Sequence, residues 1–342
     1  MSKYRRTVVK VGGESGQGIN SVGEILSDAL KGVGYKVFAY REYPSLIKGG
    51  VAAFQIEWSD LPISSPSAKC DLLVCISRAT IYEYLQTLNS DGLLIHSLPK
   101  VHFNKEEEKF IQENSIKVHY VKADELALLE GGNKIMANVV LIGLIWKLIG
   151  ESYESIEGSV LEVFGKKEQF IEGNKKSLAA GYNYEDAEMK MSVDGYAKDA
   201  AWAESYVLTG SHAFSLGTLS AGMKAYYSYP MTPSSPVLSY LAEVANKKDL
   251  IVKQVEDEIS AVQMAIGSMF MGARAMTGTS GGGFDLMTET ISNAGIAEIP
   301  LVILLAQRHG AATGLPTWTG SSDSEPGSVC WPRRISPLCC GR

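Results

Sequence analysis

A proline-rich segment carries the first side chains whose types and spacing could do chemistry. Residues 226–241 are YYSYPMTPSSPVLSYL, which places three prolines and several hydroxyl groups between two hydrophobic stretches. A proline disfavours helical backbone in the preceding residue, so Tyr229, Thr232 and Ser235 tend toward extended backbone. Such a segment loses little entropy on ordering, so its hydroxyl groups can be held in one direction. Ser234 or Ser235 could equally cap the next helix, and spacing alone favours neither a turn nor a binding site.

Glu258 is the acidic residue with the most informative position. In VEDEISAVQMAIGSMFMGA, the helical positions 3, 4, 7, 8 and 11 residues after it are all apolar. They are Ala261, Val262, Ala265, Ile266 and Met269. The same count from Glu256 gives a mixed face. Glu258 is therefore predicted to begin the buried stripe of a helix. Such a carboxylate either has a partner or serves a function, and the simpler alternative is an acid that the helix dipole favours.

A glycine-rich segment, GGESGQG, lies between a strand-like run and a helix-like run. Backbone N–H groups and the helix dipole can hold a phosphate at such a place, which makes Gly13, Gly16 and Gly18 candidate binding residues. Their spacing matches neither the dinucleotide fingerprint nor the P-loop. A phosphate site and a simple strand–helix turn are therefore equally supported.

A second glycine-rich segment, TSGGGFDL, allows close approach of a ligand to the backbone at Ser280, Gly281 and Gly282. The segment QRHGAATGLPT follows the apolar run IPLVILLA. It is therefore predicted to lie at the carboxyl end of a strand, where α/β sheets bind ligands. Arg308 and His309 are expected to line a site there.

The segments that must position these side chains alternate between strand-like and helix-like patterns. In the first half, the runs typical of strands are RTVVKV, YKVFAY, VAAFQIEW, DLLVCI, GLLIHS and IKVHYV. Helical spacing follows GGESGQG and recurs near residues 79–89, 104–114 and 132–149. The alternation predicts an α/β fold with a mostly parallel sheet and helices on both faces.

Polarity and charge change between the two halves of the chain. Residues 183–204 are polar and mixed in charge, which predicts a linker between an α/β domain at 1–182 and a second α/β domain at 205–319. In the second domain we expect a strand at 250–254, a helix at 284–296 and a fully buried strand in IPLVILLAQ.

The composition of the 342 residues is that of a soluble globular protein. A net charge of −6 gives no electrostatic footprint for nucleic acid. The N-terminal residues MSKYRRTVVKV lack the apolar core of a signal peptide. The apolar run at 135–150 is short for a membrane span, so a buried helix is expected. We predict no membrane association and a cytoplasmic location.

The five cysteines predict no metal site. They occupy positions 70, 75, 330, 339 and 340, form no CxxC pair, and lack the spacing of zinc or iron–sulfur ligands. Cys70 and Cys75 adjoin the apolar run DLLVCI and are expected to be buried thiols beside a strand.

Several long segments, in this order, resemble the alpha subunit of 2-oxoacid:ferredoxin oxidoreductases, which use thiamine diphosphate. They are TGSHAFSLGTLSAGMKAYYSYP, YPMTPSSP, VEDEISAVQMAIGSMFMGARAMTGTSGGGFDLMTE and AEIPLVILLAQRHGAATGLPT. GGESGQGI and YPSLIKGG look like the family's gamma domain, fused upstream as in two-subunit members often associated with 2-oxoglutarate. The resemblance covers roughly residues 5–317. It implies a gamma-type α/β domain followed by an incomplete pyrimidine-binding α/β domain.

The resemblance also implies roles for individual residues. In the family this subunit holds the aminopyrimidine of the cofactor, and a glutamate contacts the pyrimidine nitrogen. Glu258, nine positions before Gly267, has the matching position, and Thr232 would face the substrate or cofactor. The residues implied around the cofactor are Tyr229, Pro230, Ser234, Ser280, Gly281 and Gly282, together with Gly13, Gly16 and Gly18. Those implied to line the substrate are Arg308 and Thr317.

The implied reaction is oxidative decarboxylation of a 2-oxoacid, with 2-oxoglutarate favoured, to an acyl-CoA with transfer of electrons to ferredoxin. The usual thiamine diphosphate/Mg²⁺ signature, G-D-G followed by an Asn, and a cysteine set for a [4Fe–4S] cluster are absent from the sequence. Both are expected on a beta subunit in a hetero-oligomer, and coenzyme A is the expected co-substrate.

The sequence departs from the family pattern at two places. His309 stands where the family usually has glycine. Residues 320–342 have no periodicity and resemble an out-of-frame, disordered tail on a truncated product. The alternative function is a non-catalytic remnant whose first half binds coenzyme A or a partner. A nucleotide-binding dehydrogenase is disfavoured by the imperfect glycine fingerprint and by the expected lack of an acid at the end of the second strand.

Overall fold

The computed structural model describes residues 6–42, 50–165, 167–191, 193 and 195–308. The chain separates into two compact units, Met1–Val207 and Leu208–Arg342. Each unit contains one β-sheet with helices. The predicted α/β fold class is confirmed for both. The predicted tail and the residues His309 and Thr317 lie outside the described residues.

The first unit is built on a mixed sheet. Its strands are β1 (Thr7–Glu14), β2 (Lys36–Glu42), β3 (Val51–Ser59), β4 (Cys70–Cys75), β5 (Leu88–His96) and β6 (Lys117–Tyr120). They lie side by side in the order β2-β3-β1-β4-β5-β6. Strand β3 runs antiparallel to β1 and β2, whereas the pairs β1–β4, β4–β5 and β5–β6 are parallel. The predicted, mostly parallel sheet is confirmed.

Helices cover both faces of this sheet. They are α1 (Ile19–Gly32), α2 (Arg78–Tyr84), α3 (Lys105–Glu113), α4 (Ala123–Gly131), α5 (Ala137–Ile149), α6 (Glu154–Phe164), α7 (Glu168–Tyr182) and α8 (Ala200–Ala203). Successive side chains of a strand point to opposite faces. Val9 and Val11 therefore join the hydrophobic cluster of α1, α5 and α6, whereas Val8 joins that of α2. The thiols of Cys70 and Cys75 are buried on strand β4, as expected.

The apolar run at 135–150 forms the buried helix α5. Its side chains are almost all covered, and Trp146 is fully buried. Helix α7 lies so close that a Cβ at Gly143 or Gly181 would meet the backbone of the facing helix, which explains both glycines. Within the described residues no single helix is long and apolar enough to cross a membrane. Only the helical segments Ala123–Gly131 and Lys134–Ile149, taken together, are long and apolar enough, and the chain bends by 120° between them.

The segment 183–204, predicted as a linker, lies against the first unit where it is described. Asp186 Oδ2 is 2.9 Å from His119 Nδ1. Lys198 Nζ donates to Glu151 Oε2 at 2.7 Å. These two contacts attach both halves of the segment to the part of the first unit that precedes it. We refer to residues 183–204 as the strap.

The second unit contains a parallel sheet. Its strands are β7 (Ala225–Ser228), β8 (Ile251–Gln254), β9 (Ala275–Ser280) and β10 (Val302–Ala306). Its helices are α9 (Gly210–Ser220), α10 (Ser235–Lys248), α11 (Glu258–Phe270) and α12 (Gly281–Ile296). The strands lie in the order β10-β9-β7-β8 and all described pairs are parallel. All the carboxyl ends therefore meet at one edge of the sheet.

The prediction that IPLVILLAQ is a fully buried strand is wrong. It forms β10, which pairs only with β9 among the described strands and lies at the sheet edge. Val302 is 55% exposed, and the remainder of the strand is half-buried. An apolar run specifies strand formation but not the number of neighbouring strands, so it could not distinguish an edge position from a central one.

Candidate functional site

The loop after β7 is fixed by side chains at the carboxyl end of the second sheet. Ser228 Oγ donates to Gly278 O at 2.8 Å, which ties the end of β7 to β9. Ser234 Oγ donates to Met231 O at 2.7 Å and closes the loop on itself. Thr279 Oγ1 lies 3.8 Å from Met231 Sδ. The loop 229–234 is therefore a supported element with a defined shape.

This loop presents Thr232 beside Arg308. The Thr232–Pro233 peptide bond is cis, and Thr232 is half-buried. Arg308 Nη1 donates to Thr232 O at 3.1 Å. Ser234 occupies the N-cap position of α10 but makes no side-chain capping bond, because its hydroxyl bonds the carbonyl of Met231. The capping alternative for Ser234 is therefore not realised.

Glu258 lies where the helical-face argument placed it. It begins α11 and is 3% exposed, above a buried stripe of apolar residues. Asp257 caps the helix, with Ser260 N donating to Asp257 Oδ1 at 2.6 Å. Glu256 is exposed and accepts from Ser260 Oγ at 3.0 Å. The predicted difference between the two glutamates is confirmed.

The carboxyl group of Glu258 lacks a complete set of partners. Its Oε1 is buried and, within the part of the chain that the structure describes, accepts no hydrogen bond. A buried carboxylate oxygen without a donor is costly. Oε1 is thus suited to receive a hydrogen bond from a ligand that enters the site.

The first turn of α12 lies beside this carboxyl group. Ser280 ends β9, and its buried hydroxyl has no partner among the described residues. It makes no capping bond to the N–H groups that follow, and the first turn of α12 contains no acid. Gly281, Gly282 and Gly283 leave these N–H groups uncovered by their own side chains. Ser280, Gly281 and Gly282 therefore stay candidates for close approach by a ligand.

Contacts connect these parts into one arrangement. An added Cβ at Gly283 would meet both Glu258 and Thr279. Thr279 in turn contacts Met231, the neighbour of Thr232. The described site residues of the second unit lie at or after the carboxyl ends of β7, β8, β9 and β10 respectively. These are Tyr229, Pro230, Thr232 and Ser234, then Glu258, then Ser280, Gly281 and Gly282, and lastly Arg308.

Sequence reasoning missed the residues that support the site. The loop is held by Ser228, Thr279 and Met231. Tyr226 lies on β7, with its hydroxyl next to Gly278. Burial raises the pKa of Tyr226 to about 12, so the phenol stays neutral. Ser228 could have been found, because it is the last residue of a strand at the ligand-binding edge. The others carry no comparable signal.

The glycine turn of the first unit is a separate feature. Gly16 and Gly18 have φ values of 96° and 76°, which residues that carry a side chain adopt only with strain. Gly18 precedes α1, and Asn138 Nδ2 donates to Gln17 O at 2.8 Å. An added Cβ at Gly13 would lie 2.6 Å from Ile19 Cδ1. The turn conformation therefore accounts for Gly16 and Gly18 with or without a phosphate, and the close contact with Ile19 favours a small residue at Gly13.

The second strand of the first unit ends in an acid, contrary to expectation, so this feature does not disfavour a dehydrogenase. Strand β2 continues to Glu42, so an acid does end the second strand. Glu42 Oε1 instead binds the buried Lys10 Nζ at 3.1 Å. The error came from ending the predicted strand two residues early. Among the described residues no group of three or more His, Cys, Asp or Glu side chains could hold a metal ion.

Two family models match the chain. The model described as pyruvate ferredoxin/flavodoxin oxidoreductase matches residues 8–184. A second, described as the thiamine-diphosphate-binding part of pyruvate flavodoxin/ferredoxin oxidoreductase, matches residues 217–325. The first match alone covers just over half of the chain.

Named relatives agree with these models. The 2-oxoacid:ferredoxin oxidoreductase subunit alpha of a Sulfolobus species is 28% identical, over 92% of this chain and 56% of that protein. The 2-oxoglutarate oxidoreductase subunit KorA of Mycobacterium tuberculosis is 28% identical, over 94% of this chain and 53% of that protein. The chain thus spans about half the length of the curated relatives it matches.

A solved structure has the same fold over most of the chain. It is the 2-oxoglutarate:ferredoxin oxidoreductase from Magnetococcus marinus with 2-oxoglutarate, coenzyme A and succinyl-CoA bound. The match has a TM-score of 0.82 and 25% identity, over 92% of this chain and 54% of that one. The resemblance seen in the sequence is confirmed, and the chain belongs to the pyruvate ferredoxin/flavodoxin oxidoreductase family.

Proposed function

We propose that the second unit holds the aminopyrimidine ring of thiamine diphosphate in an enzyme subunit that oxidatively decarboxylates a 2-oxoacid. The observation that carries the proposal is the buried Oε1 of Glu258 at the carboxyl edge of a parallel sheet, which has no hydrogen-bond partner among the described residues. A ring nitrogen that carries or shares a proton would complete its hydrogen bonding. The match of residues 217–325 to a thiamine-diphosphate-binding model supports this ligand.

The chain's own residues would bind and orient the reactants. Glu258 holds a proton at the pyrimidine nitrogen, in a place where burial strengthens the hydrogen bond. Thiamine diphosphate, when bound, supplies the carbon nucleophile that adds to the 2-oxo group. Arg308 provides a guanidinium for the carboxylate of the 2-oxoacid, and its bond to Thr232 O fixes the loop beside it. The loop 229–234 excludes water from the reacting groups.

The further partners follow from the named relatives. We favour 2-oxoglutarate as substrate, coenzyme A as acyl acceptor and ferredoxin as electron acceptor, because the names of similar proteins contain these molecules. Mg²⁺ and a [4Fe–4S] cluster would be held by a beta subunit in a cytoplasmic hetero-oligomer. The exposed turn at Gly16 and Gly18 before α1 would bind a phosphate of coenzyme A.

Substitution of Glu258 tests the proposal in the complex of the chain with its beta subunit. Glu258→Gln retains shape but cannot relay a proton, so turnover and exchange of the thiazolium proton should fall on the order of a hundredfold. Glu256→Gln is the matched control, because Glu256 is exposed and lies two residues before Glu258. This substitution should change both rates little. The measurements are steady-state turnover and quenched-flow NMR of hydrogen–deuterium exchange on bound cofactor.

The outcomes separate the competing functions. Exchange that is unchanged in Glu258→Gln but lost in Glu256→Gln would mean that the wrong acid is assigned. A complex that binds coenzyme A but exchanges no thiazolium proton in any form would support the non-catalytic binding role instead.

A further inference from the structure

Gly283, in the first turn of α12, leaves a space that the side chain of Glu258 fills. A Cβ added at Gly283 would lie 2.6 Å from Glu258 Oε1 and 2.8 Å from Glu258 Cγ. It would be closer still to Thr279 Oγ1. Carbon atoms in ordinary contact are about 3.5–4.0 Å apart. The Glu258 side chain would therefore have to move by roughly 1 Å to admit even a methyl group.

The glycine is required by space and not by backbone conformation. Gly283 is absent from the residues with positive φ, in contrast to Gly16 and Gly18. It lies within a 16-residue helix, where alanine is intrinsically the better residue. Helix propensity therefore opposes glycine at this position, and the close approach of Glu258 and Thr279 favours it.

The surroundings cannot easily yield to an added methyl group. Helices α11 and α12 are locked together by a shared hydrophobic cluster, in which Val262 and Met287 are fully buried. Thr279 lies on β9, which is flanked by strands on both sides, and is itself fully buried. With the helices and strand fixed, the atoms able to move are those of the Thr279 and Glu258 side chains, and both of these lie too close to an added Cβ.

We propose that Gly283 is a positioning residue for Glu258: its missing side chain lets the carboxyl group stay where Oε1 can meet a ligand. The inference rests on the proposed function for its effect on catalysis, whereas its steric part does not. Gly283 touches Glu258 and need not touch the cofactor.

The steric part is tested on the chain alone, without cofactor. Gly283→Ala should lower the melting temperature measured by circular dichroism by about 5 °C. In a Glu258→Ala background, which removes Cγ and the carboxyl group, the same substitution should cost clearly less. Equal losses in both backgrounds would mean that only Thr279 is displaced and would overturn the proposal. If Gly283→Ala alone does not fold, recovery of folding by Glu258→Ala supports the proposal and failure to recover refutes it.

The functional part is tested by exchange of the thiazolium proton in the complex with the beta subunit. A displacement of about 1 Å predicts a slowing on the order of a hundredfold in Gly283→Ala. Gly158→Ala is the matched control, because an added Cβ there, also in a helix, meets nothing within 4 Å. It should leave exchange unchanged.

Non-additivity distinguishes positioning from general damage. Because Gly283 acts through Glu258, adding Gly283→Ala to Glu258→Gln should slow exchange little further. The positioning role would be overturned if the double variant slowed exchange by the product of the two single effects. It would also be overturned if exchange were unchanged in Gly283→Ala. A different result is a smaller loss of melting temperature for Gly283→Ala in the Glu258→Ala background, together with normal exchange in Glu258→Gln. That result would refute the proposed function and leave the steric constraint standing.

Discussion

The strap should detach locally when the charge of Glu151 is removed. Glu151 Oε1 accepts a hydrogen bond from Tyr35 Oη at 2.6 Å, and Oε2 accepts one from Lys198 Nζ at 2.7 Å. The Glu151 side chain is 9% exposed and that of Lys198 is 48% exposed. Burial, followed by the hydrogen bond to Glu151, raises the pKa of Tyr35, so the phenol remains a neutral donor.

The size of the effect follows from these contacts. A hydrogen bond to a charged group contributes about 1.5–3 kcal/mol. Glu151→Gln retains one neutral acceptor, and solvent screens the half-exposed Lys198. We therefore expect a loss of about 2 kcal/mol in the local stability of the strap, which is roughly a 30-fold increase in its opening.

Hydrogen exchange measured by mass spectrometry on the peptide that contains residues 195–203 would report this opening. Asp199 N donates to Gly34 O at 2.9 Å, so its amide is protected only while the strap is attached. Glu157→Gln is the control, because Glu157 Oε1 lies 3.6 Å from Lys175 Nζ and neither residue belongs to the strap. Unchanged exchange in Glu151→Gln, or equal acceleration in Glu157→Gln, would refute the assignment of Glu151 as the anchor.

Two further predictions concern buried titratable groups in the first unit. Burial lowers the pKa of His96, so below about pH 6.5 the unfolded chain binds a proton that the folded chain resists. The unfolding free energy should be highest above that pH and decline as the pH falls toward the folded pKa, by at most about 1.4 kcal/mol per pH unit. Urea unfolding at several pH values measures this decline, and a His96→Gln variant whose unfolding free energy depends on pH as in the unmodified chain would contradict the prediction. Burial raises the pKa of Cys70 to about 11 and that of Cys75 to about 12, so iodoacetamide at pH 8 should modify neither until urea unfolds the chain; peptide mapping that finds either alkylated in the native state would disprove it.

The regular elements were predictable because their signals are local. The six strands of the first unit appear where β-branched and apolar runs placed them, and α5 is the buried helix that its composition indicated. The burial of Glu258 followed from counting positions along one helix. These properties depend on residues close in the sequence, whose periodicity matches that of the element.

Predictions that depended on neighbouring elements were less successful. The apolar run of β10 was expected to be fully buried, yet it occupies the edge of the described sheet. Ser234 had the position of a helix cap, yet its hydroxyl bonds Met231 O. Polarity indicated a linker at 183–204, yet its described residues pair with Glu151 and His119. The outcome is decided by the position of a strand within the sheet for β10, by a loop carbonyl for Ser234, and by side chains distant in the sequence for residues 183–204.

The sequence by itself determined the α/β class, the family and the burial of Glu258 rather than Glu256, because each depends on local pattern or on a string of residues in fixed order. Only the tertiary structure decided the surroundings of that carboxyl group. Gly283 lies 25 positions beyond Glu258 in the chain, and no periodicity connects them. The pair meets because α11 and α12, which follow two parallel strands of the same sheet, pack through one hydrophobic cluster. Close packing makes such distant contacts specific, since a single methyl group cannot be added without displacing an atom that is already there.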